Sequence, residues 1–479
     1  MTGQTGVQET DTAATKSASL GIALLVAGTF FMENLDATVI TPAVPQMAQS
    51  FGVAPVELNA GISAYMLTLG IFIPVSGWIA DRFGPRQVFA AAIALFTFAS
   101  LLCGITNSLP TFIAARVLQG IGGAMMVPVG RLVVLRVTPK EKLISAIAAL
   151  TWPALVAPVL GPPVGGLIAD HADWRWIFYL NLPLGLIAMI IALKIVPAER
   201  DTKVGPFDWL GFAVTGASLF ALMMAAEIAG RPDANFSLAA LVGGIGALLL
   251  IASVVHLNRA RAPMIELKAL KVKTFAVTIW GGSLFRMGIS AVPFLIPLML
   301  QIGFGYDAFS SGLVLMAVFA GNLAMKPMTT AILRRFGFKT VLIGNGIINV
   351  LALSACASFT PAMPLPIICF VLFIGGMSRS MQFTALNTIA FADVSKEMMS
   401  GANTLFSAAF QLTVGLGIAL GAIAWRFGEY ITSKTGGPPV QPFQIAFMII
   451  AATAVLALID MFTLAANAGE NVSKKPKKS

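Results

Sequence analysis

Charge is what this chain has least of. Asp, Glu, Lys and Arg together make up 11% of it, against 57% hydrophobic residues, where a soluble globular domain carries about a quarter charged residues. That shortage excludes a large water-soluble core. Histidine is scarcer still: His171 and His256 are the only two, too few and too far apart to suggest a metal site, and no metal is expected. Cys103, Cys356 and Cys369 all fall inside apolar runs, and an odd count with no extracellular framework argues against structural disulfides. The alternation of a membrane β-barrel is missing as well, because the apolar runs are continuous.

What is present is hydrophobic length. Mean hydropathy is +0.86, and several runs exceed the roughly 18 residues needed to span a bilayer. The expectation is an all-α polytopic membrane protein with fourteen spans, from 18–40 to 441–465, the fifth at 143–168 and the seventh and eighth at 208–228 and 237–257. The start, polar through Lys16 and then apolar, lacks a clear cleavage site, so it reads as a retained first helix. With the N-terminus inside, 23 of the 31 Lys and Arg residues fall in cytoplasmic segments or at the cytoplasmic ends of spans. They include Arg82, Arg86, Arg136, Arg334, Arg335 and the terminal "KKPKK". Positive charge is thus a topology signal that places both termini in the cytoplasm, and nucleic acid is excluded as its partner.

The chain also echoes itself. "IADRFGPRQVF" follows the second span and "ILRRFGFKTVL" the tenth, with Arg82, Phe83 and Gly84 matching Arg335, Phe336 and Gly337 at an offset of 253 residues. Two six-helix bundles separated by two extra helices would produce that offset, an arrangement of parallel repeats that typifies a large transporter class. The expected organisation is a cytoplasmic tail (1–17), an N-terminal bundle (18–197), a two-helix insertion with linkers (198–273), a C-terminal bundle (274–465) and a basic cytoplasmic tail (466–479).

Four stretches carry a family resemblance. "GWIADRFGPRQVF" (77–89) resembles the loop motif between helices two and three of the major facilitator superfamily, and "RVLQGIGGAMMVP" (116–128) its helix-four motif. "APVLGPPVGG" (157–166) is similar to the antiporter motif of helix five, with Ala157 in place of the first glycine. "LDATVITPAVP" (35–45) resembles the helix-one signature of the fourteen-helix drug:proton antiporters of EmrB/QacA type, with Thr41 and Pro42 as departures. The resemblance implies a secondary exporter of small amphipathic compounds in the bacterial inner membrane, driven by the proton gradient with no other cofactor. Its partners would be substrate, protons and lipid, and a monomer is expected. A nutrient symporter or an exporter of an organic anion, zwitterion or lipid-like metabolite is the alternative. A membrane enzyme would need a polar catalytic cluster, and the sequence has none.

Each motif also has a reading in its own residues. Glu33 and Asp36 lie three apart, on one helix face, about 23 to 27 Å along the first span. Arg116 lies about six residues into the fourth span from the outside, at a comparable depth. Burial favours the protonated acid and a nearby guanidinium the carboxylate, so a proton can come and go, with Gln119 as a relay. The competing reading is a permanent ion pair locking helix one to helix four. In the loop motif, Gly77 permits close approach, and Asp81 is placed to meet the N-terminus of a facing helix. With Arg82, Gly84 and Arg86 it would form a latch on the cytoplasmic side. Gly161, Gly165 and Gly166 offer a smooth face, and Pro162 and Pro163 withdraw backbone donors, so this helix could seal one half against the other or simply pack closely. "DWRWIFYLNLP" (173–183) reads as an interfacial aromatic belt.

Finally, Arg286, Lys326 and Arg379 lie inside spans of the second half, where buried cations by default suggest function. They are candidates for a substrate cavity. Lys326, about 12 Å from Arg334 on a straight helix, could instead snorkel to the cytoplasm. Arg286 and Arg379 could instead bind carbonyls at a helix break near Pro293 or Gly375.

Overall fold

In a computed structural model, which describes residues 5–53, 55–198, 205–230 and 235–473, every regular element among the described residues is helical. The first unit, Met1–Phe207, holds α1 (Thr5–Val39), α2 (Val44–Phe51), α3 (Asn59–Phe72), α4 (Ser76–Phe83), α5 (Pro85–Ile105), α6 (Leu109–Val137), α7 (Leu143–His171), α8 (Trp176–Tyr179) and α9 (Asn181–Ile195). The second, Asp208–Ser479, holds α10 (Trp209–Gly230), α11 (Phe236–Arg259), α12 (Lys273–Ile279), α13 (Gly281–Leu298), α14 (Ala308–Phe336), α15 (Phe338–Cys356), α16 (Leu365–Ala392), α17 (Met399–Thr435), α18 (Gln441–Phe462) and α19 (Glu470–Ser473). The terminal "KKPKK" lies outside the described residues.

Thirteen stretches among these residues are long and apolar enough to cross a bilayer. The fifth expected span falls on α7, where the described apolar stretch, Val159–Ile168, is shorter than the rest. Some spans are composite. Pro74 lies in a 3-10 turn, Ile73–Val75, between α3 and α4, since proline removes a donor and crowds the preceding turn. The ninth expected span breaks at Trp280, between α12 and α13, and ends in a π turn over Met299–Gly303.

The chain's punctuation follows local chemistry. Prolines stand at the first or second position of α5, α6, α16 and α18, where a missing N–H costs nothing. Asn235 and Asp307 cap α11 and α14, their side-chain oxygens accepting from Leu238 N–H at 3.0 Å and Ser310 N–H at 2.7 Å. Gly84 joins α4 to α5 at φ 87°, and Gly337 joins α14 to α15 at φ 75°, a conformation closed to most side chains. The two glycines are the repeat partners expected from the sequence, and they do the same job.

The internal repeat extends to packing. In the first unit α1 packs on α7 and α9, α5 on α6 and α9, and α3 on α6. In the second, α13 packs on α17 and α18, α15 on α16 and α18, and α14 on α16. Each unit has its own apolar core, around Val39, Met47, Phe112 and Phe178 in the first and Leu295, Phe359, Phe443 and Phe447 in the second. The paired helices α10 and α11 belong to the second unit, where α10 packs on α17. Their seam is small and hydroxylated: Thr215 and Ser253 share a hydrogen bond of 2.6 Å, and Ser218 Oγ donates to the Gly246 carbonyl at 3.0 Å.

Candidate functional site

Four helices of the first unit meet at Asp36. The residue sits on α1, 1% exposed, and its carboxylate accepts from three different side chains. Arg116 Nη1 on α6 donates to Oδ2 at 2.7 Å. Gln119 Nε2, one turn along α6, donates to Oδ1 at 3.0 Å. Asn181 Nδ2, at the start of α9, donates to Oδ1 at 2.7 Å. Ser100 on α5 closes the circuit, its Oγ accepting from Gln119 at 2.8 Å and from Asn181 at 3.2 Å. The Tyr65 ring lies 4.3 Å from the Arg116 guanidinium carbon, a cation–π contact. Arg116 and Gln119 are fully buried, so the pair has little water to screen it.

The structure therefore brings Asp36, Arg116 and Gln119 together, and adds Asn181 and Ser100. Asn181 stands within the quoted "DWRWIFYLNLP", and its signal was a lone amide in an otherwise apolar run. The aromatic belt read from that stretch is corrected. Trp174 is 4% exposed and packs edge-on against Phe51 and Phe178, and Tyr179 donates to the Gly104 carbonyl at 3.1 Å. Only Trp176 of the three is turned outward.

Glu33, one turn from Asp36, lies apart from this circuit. Its Oε2 is buried without a hydrogen-bond partner, and so is Tyr65 Oη. Both border Gly123 on α6: a Cβ built there would lie 3.3 Å from Tyr65 Oη and 3.6 Å from the Glu33 carboxyl carbon. Arg131, further along α6, is the cation whose field reaches Glu33.

The loop-motif residues take a different partner from the one expected. Asp81 on α4 accepts from Arg136 Nη2, in the last turn of α6, at 2.7 Å, with both side chains about a quarter exposed. The carboxylate thus meets a cation at a helix C-terminus, where such cations are favoured. Gly77 is buried in α4, Gly84 is the positive-φ joint, and Arg82 and Arg86 flank it with Arg82 exposed.

In the antiporter-like motif, the glycines face α1 of their own unit. A Cβ at Gly161 would strike Thr38, and one at Gly165 would strike the Val39 carbonyl, while Gly166 faces Pro42 more loosely. Pro163 is exposed, and the side chain of Pro162 lies outside the described residues. These glycines let the α7 and α1 backbones approach closely.

The three cations of the second unit part company. Arg286 on α13 is 1% exposed and donates through Nη2 to the Thr278 carbonyl at 3.0 Å and to Ser283 Oγ at 3.1 Å. Phe406 and Phe410 lie within 5.7 Å of its guanidinium carbon. This is carbonyl binding at a helix break, but the break is at Trp280 and not at Pro293. Lys326 on α14 does not snorkel. It is 7% exposed and donates to Thr384 Oγ1 on α16 at 3.0 Å, because a hydrogen-bond acceptor on the neighbouring helix lies within reach. Arg379 on α16 has Nε and Nη1 buried without partners, and its guanidinium carbon is 5.9 Å from the Phe383 ring centre. Among the described residues no group of three or more metal-ligating side chains occurs.

Comparison with known proteins agrees with this architecture. Residues 26–418 match the family described as Major Facilitator Superfamily. The putative multidrug resistance protein MdtD of Escherichia coli O6:H1 strain CFT073 is 34% identical over 440 residues, covering 90% of this chain and 92% of that protein. Its counterpart in Shigella flexneri serotype 5b is 34% identical over 435 residues, covering 89% and 91%. Among solved structures, the proton:xylose symporter XylE superposes with a TM-score of 0.64 at 12% identity, covering 96% of this chain and 98% of that one. The human organic anion transporter MFSD10 gives 0.62 at 12%, covering 93% and 98%. The chain belongs to the Major Facilitator Superfamily and is a multi-pass membrane transporter.

Proposed function

We propose that this transporter is a proton-coupled exporter of small amphipathic compounds, a drug:proton antiporter of the bacterial inner membrane with both termini cytoplasmic, working by alternating access. The relatives named for multidrug resistance support export. Coupling is carried in this reading by the acids of α1, with a division of labour between them. Asp36 is the fixed member, held by Arg116, Gln119 and Asn181. Those three donors, one of them a buried guanidinium, fix the carboxylate in place on both of its oxygens. Glu33 is the exchanging member. The single observation that carries this is its buried Oε2, which has no partner beside the equally unpartnered Tyr65 Oη. An unsatisfied oxygen can take a proton without breaking a hydrogen bond already made.

The test uses everted membrane vesicles that carry a proton gradient reported by a pH-sensitive acridine dye. Adding ethidium, then a panel of other amphipathic compounds, should release protons through the wild-type protein and restore fluorescence. Glu33→Gln should abolish that recovery while the purified variant still binds the active compound. Recovery at the wild-type rate in Glu33→Gln would remove Glu33 from the coupling. No recovery with any compound in the wild type would remove proton antiport itself.

A further inference from the structure

The first unit carries a groove of about 720 Å³ between α5 and α6, beside the turn 106–108 that joins them. Both helices are long and apolar enough to cross a bilayer. Phe98, Leu101 and Ile105 form an exposed apolar stripe on α5, spaced as one helix face, and such a face on a membrane-crossing helix meets hydrocarbon. The hollow has a local cause. Where α6 presents only Ala114 and Ala115, the larger Leu118, Leu102 and Ile105 stand around them.

Polarity changes along the groove. Its deep part is apolar, its end at the turn carries Asn107, Ser108 and Thr111, and no charged side chain lines it. Ser108 and Leu118 lie about 15 Å apart along α6, half of a hydrocarbon core of ~30 Å, which is the depth of one leaflet. At the polar end, Arg175 Nη2 donates to Asn107 Oδ1 at 2.8 Å and to the Thr106 carbonyl at 3.3 Å, while its Nη1 pairs with Asp173 at 3.3 Å. With Oδ1 so held, the exposed Asn107 amide turns its N–H groups toward an acceptor from outside. Lipid tails gain nothing by leaving other lipid tails. What favours an occupant here is the van der Waals contact that a hollow otherwise forfeits, together with a hydrogen bond at its end.

We propose that the groove is a binding site for one glycerophospholipid of the adjoining leaflet, an acyl chain lying along Ala114 and its phosphate accepting from Asn107. The site lies wholly inside the first unit and rests on the membrane spans, so it does not depend on the proton-coupling reading.

The test uses protein in phosphatidylcholine nanodiscs doped with phosphatidylethanolamine that bears a diazirine on one acyl chain. Photolabelled peptides are mapped by mass spectrometry. The exposed stripe of Leu241, Leu248 and Ile251 on α11 serves as the control for lipid that merely surrounds the protein. Labelling of 102–118 should saturate as the probe fraction rises and exceed that of α11 at least fivefold at low fraction, while α11 labelling rises linearly. Ala114→Phe, a change at an exposed position that fills the hollow, should cut groove labelling at least fivefold and leave α11 unchanged. Asn107→Leu should raise the probe fraction needed for half-saturation severalfold. Linear labelling of both regions to equal extent, lipid that merely surrounds the protein, overturns the proposal. So does undiminished groove labelling in Ala114→Phe. Displacement of the label by ethidium would assign the groove to transported compounds, and a dimer mass without groove labelling would assign it to a second copy of the chain; either result overturns it too.

Discussion

Asp36 and Glu33 stand one helical turn apart, and their surroundings ask different things of them. Asp36 neutralises a guanidinium that is wholly buried. Removing one member of such a pair costs roughly 3 to 5 kcal/mol, because the other charge stays behind in a poorly solvated place. Asp36→Asn should therefore lower the thermal midpoint of the purified protein sharply. Asp36→Leu/Arg116→Met should be far milder, since neither charge remains. A single variant no less stable than the double would show that Arg116 finds another counter-charge. Glu33→Gln should leave stability within about 1 kcal/mol, because the changed oxygen forfeits no hydrogen bond. Stability and coupling are thus separable between two acids that look alike in the sequence.

Among the elements, the α10–α11 pair has its own fastening. Asp208, just before α10, accepts from Gly211 N–H at 2.8 Å, from His256 Nε2 near the end of α11 at 2.8 Å, and from Met264 N–H at 3.3 Å. Burial pushes its carboxyl up, but these donors outweigh burial and hold it below the ordinary aspartate range. A depressed folded-state pKa means that the stabilisation is complete above the unfolded value, near pH ~3.9, and is lost as pH falls through the lower folded value. Asp208→Asn should cost about 1 to 3 kcal/mol at pH 6. The gap to wild type should narrow as pH falls from 5 toward 3, read by thermal unfolding at each pH. A gap that stays constant down to pH 3 would mean the carboxylate charge contributes nothing.

At the scale of the whole molecule, two units share one packing scheme and carry opposite chemistry. Helix for helix the contacts repeat, down to the positive-φ glycines at 84 and 337. Yet the first unit buries an acid–base circuit, while the second holds Arg286, Lys326 and Arg379. The joints differ as well, since Asp81 pairs with Arg136 while its repeat position is Arg334. An ion pair a quarter exposed is worth at most about 1 kcal/mol. Asp81→Asn should therefore leave insertion and thermal midpoint nearly unchanged while slowing turnover in the vesicle assay several-fold, if the pair biases one transport state. The exchange Asp81→Arg/Arg136→Asp should recover most of the rate. Wild-type turnover in Asp81→Asn would leave the motif as a turn alone.

Sequence by itself determined what depends on one segment at a time. Apolar length decides whether a helix can live in lipid, and that is a property of consecutive residues, so the helical spans and the all-α polytopic class were legible. The glycine joints were legible too, because φ is a local variable and the two copies of the motif could be compared with each other. Tertiary structure alone decided whatever depends on two segments. Asn181 reaches Asp36 across 145 residues of chain; a lone amide in an apolar run marks the residue, but not which carboxylate it meets. Lys326 failed to snorkel because Thr384, on another helix, offered an acceptor that depth along one helix could not reveal. The faces of Gly161 and Gly165 were legible as smooth, yet only packing chose α1 to fill them. Arg379 reads like Arg286 in the sequence, and only the structure shows that Arg286 reaches Thr278 and Ser283 while Nε and Nη1 of Arg379 are buried without hydrogen-bond partners. Hydrophobic burial adds up along the chain, whereas hydrogen bonds and ion pairs depend on distances of about 3 Å between residues that the sequence keeps far apart.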